Sequence, residues 1–310
     1  MICYYRLSTS FGRAWRCFLQ KSATHSCFPE HLPLCSVMAK TTAVVRHNIM
    51  LSFPPPSLLQ TYQPYSRATS MIEDLHYMPA AEEHAENIME LLQDQFRKHE
   101  PINASINATE DDLIDVFRDD VKCAYTNEKY GTLAYDGNRL VGMCLCSMIL
   151  NKSKDPVELD IKNLPVEMDI RKHDFAKDIL NGPYKQHKAN QIVVFVRTLE
   201  EIMQQMLSKY KILKMNVLSV HEDCMGKGLG KELNRRAIQI AKDEKCDYIA
   251  TVATAMASQA IFRKSGWEIL YEVPYSDYCE NGSPVFQKLH DGCRNLELRE
   301  SAASEVFQNM

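Results

Sequence analysis

One stretch restricts the fold of this chain more than any other: Leu218-Ser219-Val220-His221-Glu222-Asp223-Cys224-Met225-Gly226-Lys227-Gly228-Leu229-Gly230-Lys231. An apolar run with β character, Met215 to Val220, enters a glycine-rich turn. The turn opens an amphipathic helix, with Leu229, Leu233, Ala237, Ile240 and Ala241 at helical spacing and Lys231, Glu232, Asn234, Arg235 and Lys242 on the outer face. Glycines at alternate positions let a ligand approach the backbone closely, and the first helical turn presents unpaired N–H groups to an anion. The pattern reads as a pyrophosphate cradle; a plain strand-to-helix connection is the simpler alternative.

Two familiar phosphate-binding patterns do not fit. No Gly-Lys-Ser/Thr follows a glycine at P-loop spacing, and glycines at 226, 228 and 230 lack the dinucleotide offset. The segment resembles instead the acyl-CoA loop of the GNAT superfamily of N-acetyltransferases, Gln/Arg-x-x-Gly-x-Gly/Ala. Gly228 and Gly230 match that pattern, Met225 replaces its Gln or Arg, and Lys227 can restore part of the lost charge. The resemblance implies acetyl-CoA as co-substrate. It assigns the binding surface to Leu218, Ser219, Val220, Met225, Gly226, Lys227, Gly228, Leu229 and Gly230.

Composition excludes other classes. Residues 1–70 hold seven Lys or Arg and a single acid, Glu30, leaving 29 basic against 39 acidic residues in 71–310. That acidic body argues against a nucleic-acid partner and suits a cationic substrate. No run approaches the roughly 18 apolar residues of a spanning helix, so no membrane partner is expected. The eleven cysteines contain no Cys-x-x-Cys. Cys144 and Cys146 would share one strand face, a poor chelate, so reduced buried thiols in a cytoplasmic protein are expected and no metal site is. On that reading the sequons at Asn103, Asn107, Asn151 and Asn281 are accidental.

Residues 1–70 differ in character, with Arg6, Arg13, Arg16 and Lys21 among Ser and aromatic residues and a Pro54-Pro55-Pro56 break. They read as a poorly ordered extension, or as a mitochondrial transit segment. Residues 71–310 read as one mixed α/β domain. A strand is predicted near 72–77, helices near 80–98 and 110–121, and strands near 122–126, 130–135 and 139–149. A polar, Pro-broken insertion spans 151–190. Beyond it come a helix near 192–208, a strand at 213–220, the cradle helix, a strand at 247–252, a helix at 256–264 and strands near 267–274 and 293–299.

The resemblance extends further. Ser258-Gln259-Ala260-Ile261-Phe262-Arg263-Lys264-Ser265-Gly266-Trp267 is similar to the superfamily's later helix. Phe96 to Ser105, Tyr271 to Tyr278, Gly282-x-Pro284-Val285-Phe286 and His290 resemble the invertebrate arylalkylamine N-acetyltransferases. The fold so implied is a twisted mixed sheet, splayed at the acetyl-CoA site and flanked by helices. The activity implied is direct acetyl transfer to a small primary amine such as tyramine, dopamine or serotonin. Polyamine or amino-acid acetylation and a non-catalytic CoA-binding module are the alternatives. The protein is expected to act as a monomer.

Acetyl transfer requires a neutral nitrogen, whereas an alkyl ammonium titrates near ~10, so at neutral pH the free base costs about 4 kcal/mol. A carboxylate can remove that proton. The resemblance places the base at the glutamate before proline, Glu100, which at the end of the 80–98 helix would sit against the unfavourable end of the helix dipole. A backbone N–H along 218–220 would stabilise the oxyanion. Many relatives protonate the leaving thiolate from a tyrosine where this chain has Phe262. Ser258 matches a serine given that role, and its partner position is Ala255. Helix capping is the other reading of Ser258. His221 could be a second base or a loop residue, and Tyr271, Tyr275 and Tyr278 divide between lining an aromatic pocket and packing.

Overall fold

The computed structural model describes residues 72–150, 170 and 173–303, all within the compact unit Gln63–Met310. The expected extension 1–70 and most of the insertion 151–190 lie outside the described residues. A seven-stranded sheet forms the centre, in the order β1 (His76–Met78), β2 (Thr132–Asp136), β3 (Arg139–Leu150), β4 (Lys211–Val220), β5 (Tyr248–Ala253), β9 (Asn295–Ala302) and β6 (Glu268–Pro274). The β4–β5 pair is parallel and the other neighbours are antiparallel. β7 (Cys279–Glu280) and β8 (Ser283–Pro284) form a separate hairpin.

Two apolar layers cover the sheet. On one face lie α1 (Ala85–Leu91), α4 (Glu110–Thr126) and α6 (His187–Met206), packed through Ile88, Leu113, Phe117, Phe195 and Leu199. On the other lie α7 (Leu229–Asp243) and α8 (Met256–Lys264), packed through Leu229, Leu233, Ala237, Ala241 and Phe262. Helix α4 is capped by its own first turn. Thr109 accepts from Asp112 N while Asp112 Oδ2 accepts from Thr109 N, a reciprocal capping box. The strand expected at 122–126 is instead the last turns of α4. Val121 and Ala124 continue the buried stripe begun by Leu113 and Phe117, so their apolar character serves a helix.

The central strand parts from its neighbour. β4 pairs with β5 only from Ile212↔Tyr248 to Met215↔Thr251, while its pairing with β3 continues to Gly142↔Val220. At the point of parting the β3–β4 register steps from Cys146↔Met215 to Leu145↔Val217, leaving Asn216 as a bulge. A bulge bends its strand and increases the local twist, which turns the rest of β4 away from β5. It also exchanges the faces: Met215 belongs to the α7 layer, Val217 to the α4 layer, and Leu218 again packs against the α7 layer. The Asn216 side chain secures the bulge by donating to Ser147 Oγ at 3.0 Å.

Candidate active site

The splay exposes one edge of β4. His221 N donates to Val141 O on β3 at 2.8 Å. Peptide groups alternate direction along a strand, so Ser219 N also points to β3, while Leu218 and Val220 point their N–H groups into the gap that β5 has left. The expected contact surface 218–220 therefore divides in two. Leu218 and Val220 offer backbone donors, and Ser219 is buried and turned toward the neighbouring strand.

From His221 the chain turns through a short 3-10 segment, Glu222–Cys224, and enters α7 at Gly228. Gly226 (φ 71°) and Gly228 (φ 95°) are left-handed, a conformation that side chains disfavour. A Cβ at Gly226 would meet nothing within 4 Å, so the backbone there is open to a ligand. Gly230 does different work: a Cβ there would lie 2.9 Å from Ile261 Cδ1, so this glycine seats α7 against α8. The N-cap of α7 has no side-chain partner. Met225, Gly226, Lys227 and Gly228 are exposed, while Leu229 anchors the turn in the core. Open backbone, free helical N–H groups and an adjacent lysine suit a pyrophosphate.

The cradle is braced from the opposite side of the chain. Between α1 and α2 (Arg97–His99) the helix widens into a π turn over Leu92–Phe96. Buried Gln95 in that turn accepts from Glu222 N at 3.0 Å, and His99 lies 3.6 Å from the Glu222 carboxylate. Arg139 pairs with Asp223 at 3.0 Å. His221 Nδ1 accepts from Asp223 N at 3.2 Å, which makes this histidine the cap of the 3-10 turn.

Glu100 lies at a helix junction. It ends α2 and is the N-cap of α3 (Pro101–Ser105), with Pro101 in the first helical position. The expectation of a carboxylate against a helix C-terminus is thus half the picture: proline before a new turn starts a second helix whose N-terminus favours the charge. Glu100 Oε2 accepts from Asn103 N at 2.9 Å, and Oε1 is buried without a hydrogen-bond partner. Burial raises the carboxyl to about 7, with the negative charge of Asp291 adding to it. The Asn103 amide and the nearby Thr254 hydroxyl act in the opposite direction. A carboxyl titrating near neutrality can both take and return a proton.

Thr254 follows β5 directly, on the far lip of the splay. Its carbonyl accepts from the Tyr275 hydroxyl at 2.6 Å. Tyr278 is fully buried, stacked on Phe195 at 4.2 Å, with its hydroxyl donating to Gln191 O, so it packs the core. Ser258 lies in the first turn of α8, half-buried, its Oγ donating to Ala255 O at 2.9 Å. It does not cap that helix. Asp291 does, accepting from Met256 N at 2.8 Å. Phe262 is core, 4.7 Å from the Trp267 ring. His290 is exposed.

The sequence profile of the Acetyltransferase (GNAT) family matches residues 190–267, from α6 through the splayed strand and cradle to the end of α8. Residues 190–267 therefore carry the signature of a GNAT acetyltransferase domain. That family uses acetyl-CoA, and the cradle just described fits that co-substrate. Among curated proteins no relative matches. Solved structures share the fold at low identity. An arylalkylamine N-acetyltransferase 2 from Aedes aegypti superposes with TM-score 0.56 at 19% identity, covering 74% of this chain and 99% of the other. A Drosophila melanogaster polyamine N-acetyltransferase superposes with TM-score 0.56 at 15% identity, covering 74% and 100%. A mosquito arylalkylamine N-acetyltransferase like 5b gives 0.55 at 16%, covering 74% and 99%.

Gln95, Thr254 and Asp291 escaped the sequence reading. Gln95 is a polar residue on an otherwise readable helix, and the π turn that aims it has no period of its own. Thr254 and Asp291 lie in short loops whose spatial meeting no local pattern encodes. Among the described residues no group of His, Cys, Asp and Glu could hold a metal, and no helix is long and apolar enough to cross a membrane. Cys144 and Cys146 are buried free thiols, their sulfurs 3.7 Å apart.

Proposed function

We propose that this GNAT domain acetylates a small primary amine of the arylalkylamine class, acting as a cytoplasmic monomer with Glu100 as general base. The observation that carries the reading is the buried Glu100 carboxyl, with Oε1 unpartnered and an affinity for protons near neutrality. An incoming ammonium supplies the hydrogen bond that Oε1 lacks, and Glu100 then accepts its proton. Acetyl-CoA supplies the activated acyl group. The residues do the remaining work: Gly226, Gly228 and the first turn of α7 hold the pyrophosphate, with Lys227 in place of the family's Arg or Gln. Backbone N–H groups of Leu218 and Val220 hold the pantetheine arm and the oxyanion. Ser258 donates to the leaving thiolate after turning from the Ala255 carbonyl. The thiol's ordinary value near 8.5 makes that help small.

A second reading takes an amine with two cationic groups as acceptor. Its support is the second carboxylate, Asp291, whose field reaches Glu100. The polyamine N-acetyltransferase among the structural neighbours points the same way.

A thiol-release assay with acetyl-CoA and a panel of tyramine, dopamine, serotonin, agmatine, spermidine and amino acids tests both. Saturable turnover of an arylalkylamine supports the first reading. Turnover only of agmatine or spermidine replaces it with the second, and silence across the panel with CoA still bound overturns both.

A further inference from the structure

The helix that leads to Glu100 breaks its α-helical step at one place, and from that place it reaches the cradle. Its buried residues fall at Ile88, Leu91, Leu92 and Gln95, the spacing of an ordinary α-helical stripe. The π turn over Leu92–Phe96, in which Arg97 N donates five residues back to Leu92 O, then shifts the register by one. The next buried residue is Glu100, five positions after Gln95, and Glu100 N donates to Phe96 O at 2.8 Å. Gln95 and the carboxyl that follows it are thus joined by continuous hydrogen-bonded backbone.

Gln95 takes an apolar position of that stripe, and a buried amide needs a partner. Its partner lies 127 positions away, where Glu222 N donates to Gln95 Oε1 at 3.0 Å. Glu222 opens the 3-10 turn Glu222–Cys224, and the first N–H groups of a helix find no acceptor inside it. From there the bonds run into the cradle: Met225 N donates to Glu222 O at 3.1 Å, and Lys227 N to Cys224 O at 3.4 Å. On the other side of the turn His221 N is held by Val141 O at 2.8 Å. The His99–Glu222 pair at 3.6 Å joins the same two segments, but both side chains are more than a third exposed, so screening leaves it little weight. One buried hydrogen bond therefore ties the turn that leads into the cradle to the helix that ends in Glu100.

We infer that Gln95 is a positioning residue for acetyl transfer, setting the separation between the acetyl-CoA cradle and Glu100 through the Glu222 turn. The inference rests on the reading of Glu100 as the base. The amine nitrogen must meet Glu100 and the acetyl carbon together, and these are carried by segments far apart in the chain. A misplacement of about 1 Å between such groups can cost about 100-fold in rate. Apolar packing along the stripe resists separation but leaves the helix free to slide. A hydrogen bond has a preferred length and direction, and so removes that freedom.

The bond can be cut from either end in the full chain. Gln95→Met keeps the unbranched length and loses the amide oxygen. Glu222→Pro removes the N–H. Proline suits the first position of a short helix, and His221 already has the extended backbone (φ −58°, ψ 141°) that a residue before proline adopts. Glu222→Ala, which loses the side chain and keeps the N–H, is the control. The readouts are kcat at saturating acetyl-CoA and tyramine, or spermidine if that amine is the one turned over, with CoA affinity by calorimetry and melting temperature. Gln95→Met and Glu222→Pro are each expected to lower kcat about tenfold while the Kd for CoA rises by less than about three-fold. Their combination should be no slower than either alone, since both cut one bond. Glu222→Ala should stay within about two-fold of the parent. The decisive step repeats Gln95→Met in a Glu100→Gln background, or Glu222→Pro if Gln95→Met does not fold. A residue that acts through the base loses its effect once the base is gone, so the change in kcat there should be less than about two-fold. An equal loss in the two backgrounds overturns the inference and makes Gln95 a structural residue only. A loss confined to CoA affinity, or an unchanged kcat in both single variants, overturns it as well. Full activity in Glu100→Gln alone overturns the base itself, and the positioning role with it.

Discussion

Glu100 Oε2 accepts the Asn103 amide at 2.9 Å, so one oxygen of the carboxylate is held by the helix it caps and the other is left for a proton donor. The bond fixes the carboxylate plane, and the proline at position 101 fixes the turn that makes the bond. A base held in this way works by geometry and proton affinity together. Glu100→Gln keeps the size and one acceptor oxygen but cannot take a proton. It is expected to lower kcat by about 100-fold or more, the usual contribution of a positioned general base. CoA affinity, measured by calorimetry, should change by less than about two-fold, since the cradle's donors are backbone groups of the 226–230 turn and the Glu100 carboxylate is bonded to Asn103 of its own helix. A comparable loss of both would mean that the substitution has disturbed the splay.

The same carboxyl makes stability depend on pH in a definite direction. Its folded value of about 7 lies above the ordinary 4.5, so between these pH values the folded chain binds more protons than the unfolded one. Folding stability from this group is therefore complete below about 4.5, declines as pH rises and has been lost once pH passes 7. Burying the ionised form at pH 8 costs up to about 3 kcal/mol relative to pH 4.5. Glu100→Gln removes that cost. Chemical denaturation should find the variant gaining on the parent as pH rises from 4.5 to 8. A constant offset across that range would show that Glu100 titrates normally.

Much of the fold was legible because its strongest signals are local. The 256–264 helix carries its own apolar spacing and ends at Gly266, which adopts φ 80° as a C-terminal cap. The cradle announced itself through three glycines, yet their duties differ: two are conformational, and Gly230 makes room for Ile261. Sequence spacing cannot separate those duties. The candidate base was reached by resemblance, but its helix-junction setting was only half read, because Pro101 both ends one helix and begins another. The false strand at 122–126 shows the converse error, where a short segment ending in Tyr125-Thr126 belongs to the preceding helix because Val121 and Ala124 continue its buried stripe. Asp291 was out of reach, since a cap borrowed across 35 residues leaves no trace in either segment.

The different duties of the cradle glycines can be separated by substitution. Gly228→Ala forces an alanine to φ 95°, costing about 1–2 kcal/mol, and brings a methyl within 3.0 Å of Ile72 Cδ1. The chain can relieve that strain by reshaping the turn, which displaces the N–H groups offered to pyrophosphate. CoA affinity is expected to fall about tenfold. Gly230→Ala crowds only the far end of the Ile261 side chain, which can turn aside, and touches Val220 Cγ2 at an ordinary 3.8 Å, so affinity should change by less than about three-fold. Equal losses in the two variants would contradict this division.

Ser258 offers a test of how the leaving thiolate is managed. Its hydroxyl proton is committed to the Ala255 carbonyl, at 2.9 Å, and α8 is capped without it by Asp291. Removing the hydroxyl should therefore cost little stability, with a melting temperature within about a degree or two of the parent. A thiol near 8.5 departs as thiolate with modest assistance at neutral pH. Ser258→Ala is accordingly expected to lower kcat by less than about tenfold, with the loss growing at pH values where departure limits turnover. A loss as large as that of Glu100→Gln would make protonation of the leaving group the demanding step and Ser258 its donor. No change at any pH would return Ser258 to a purely local role in the first turn of α8.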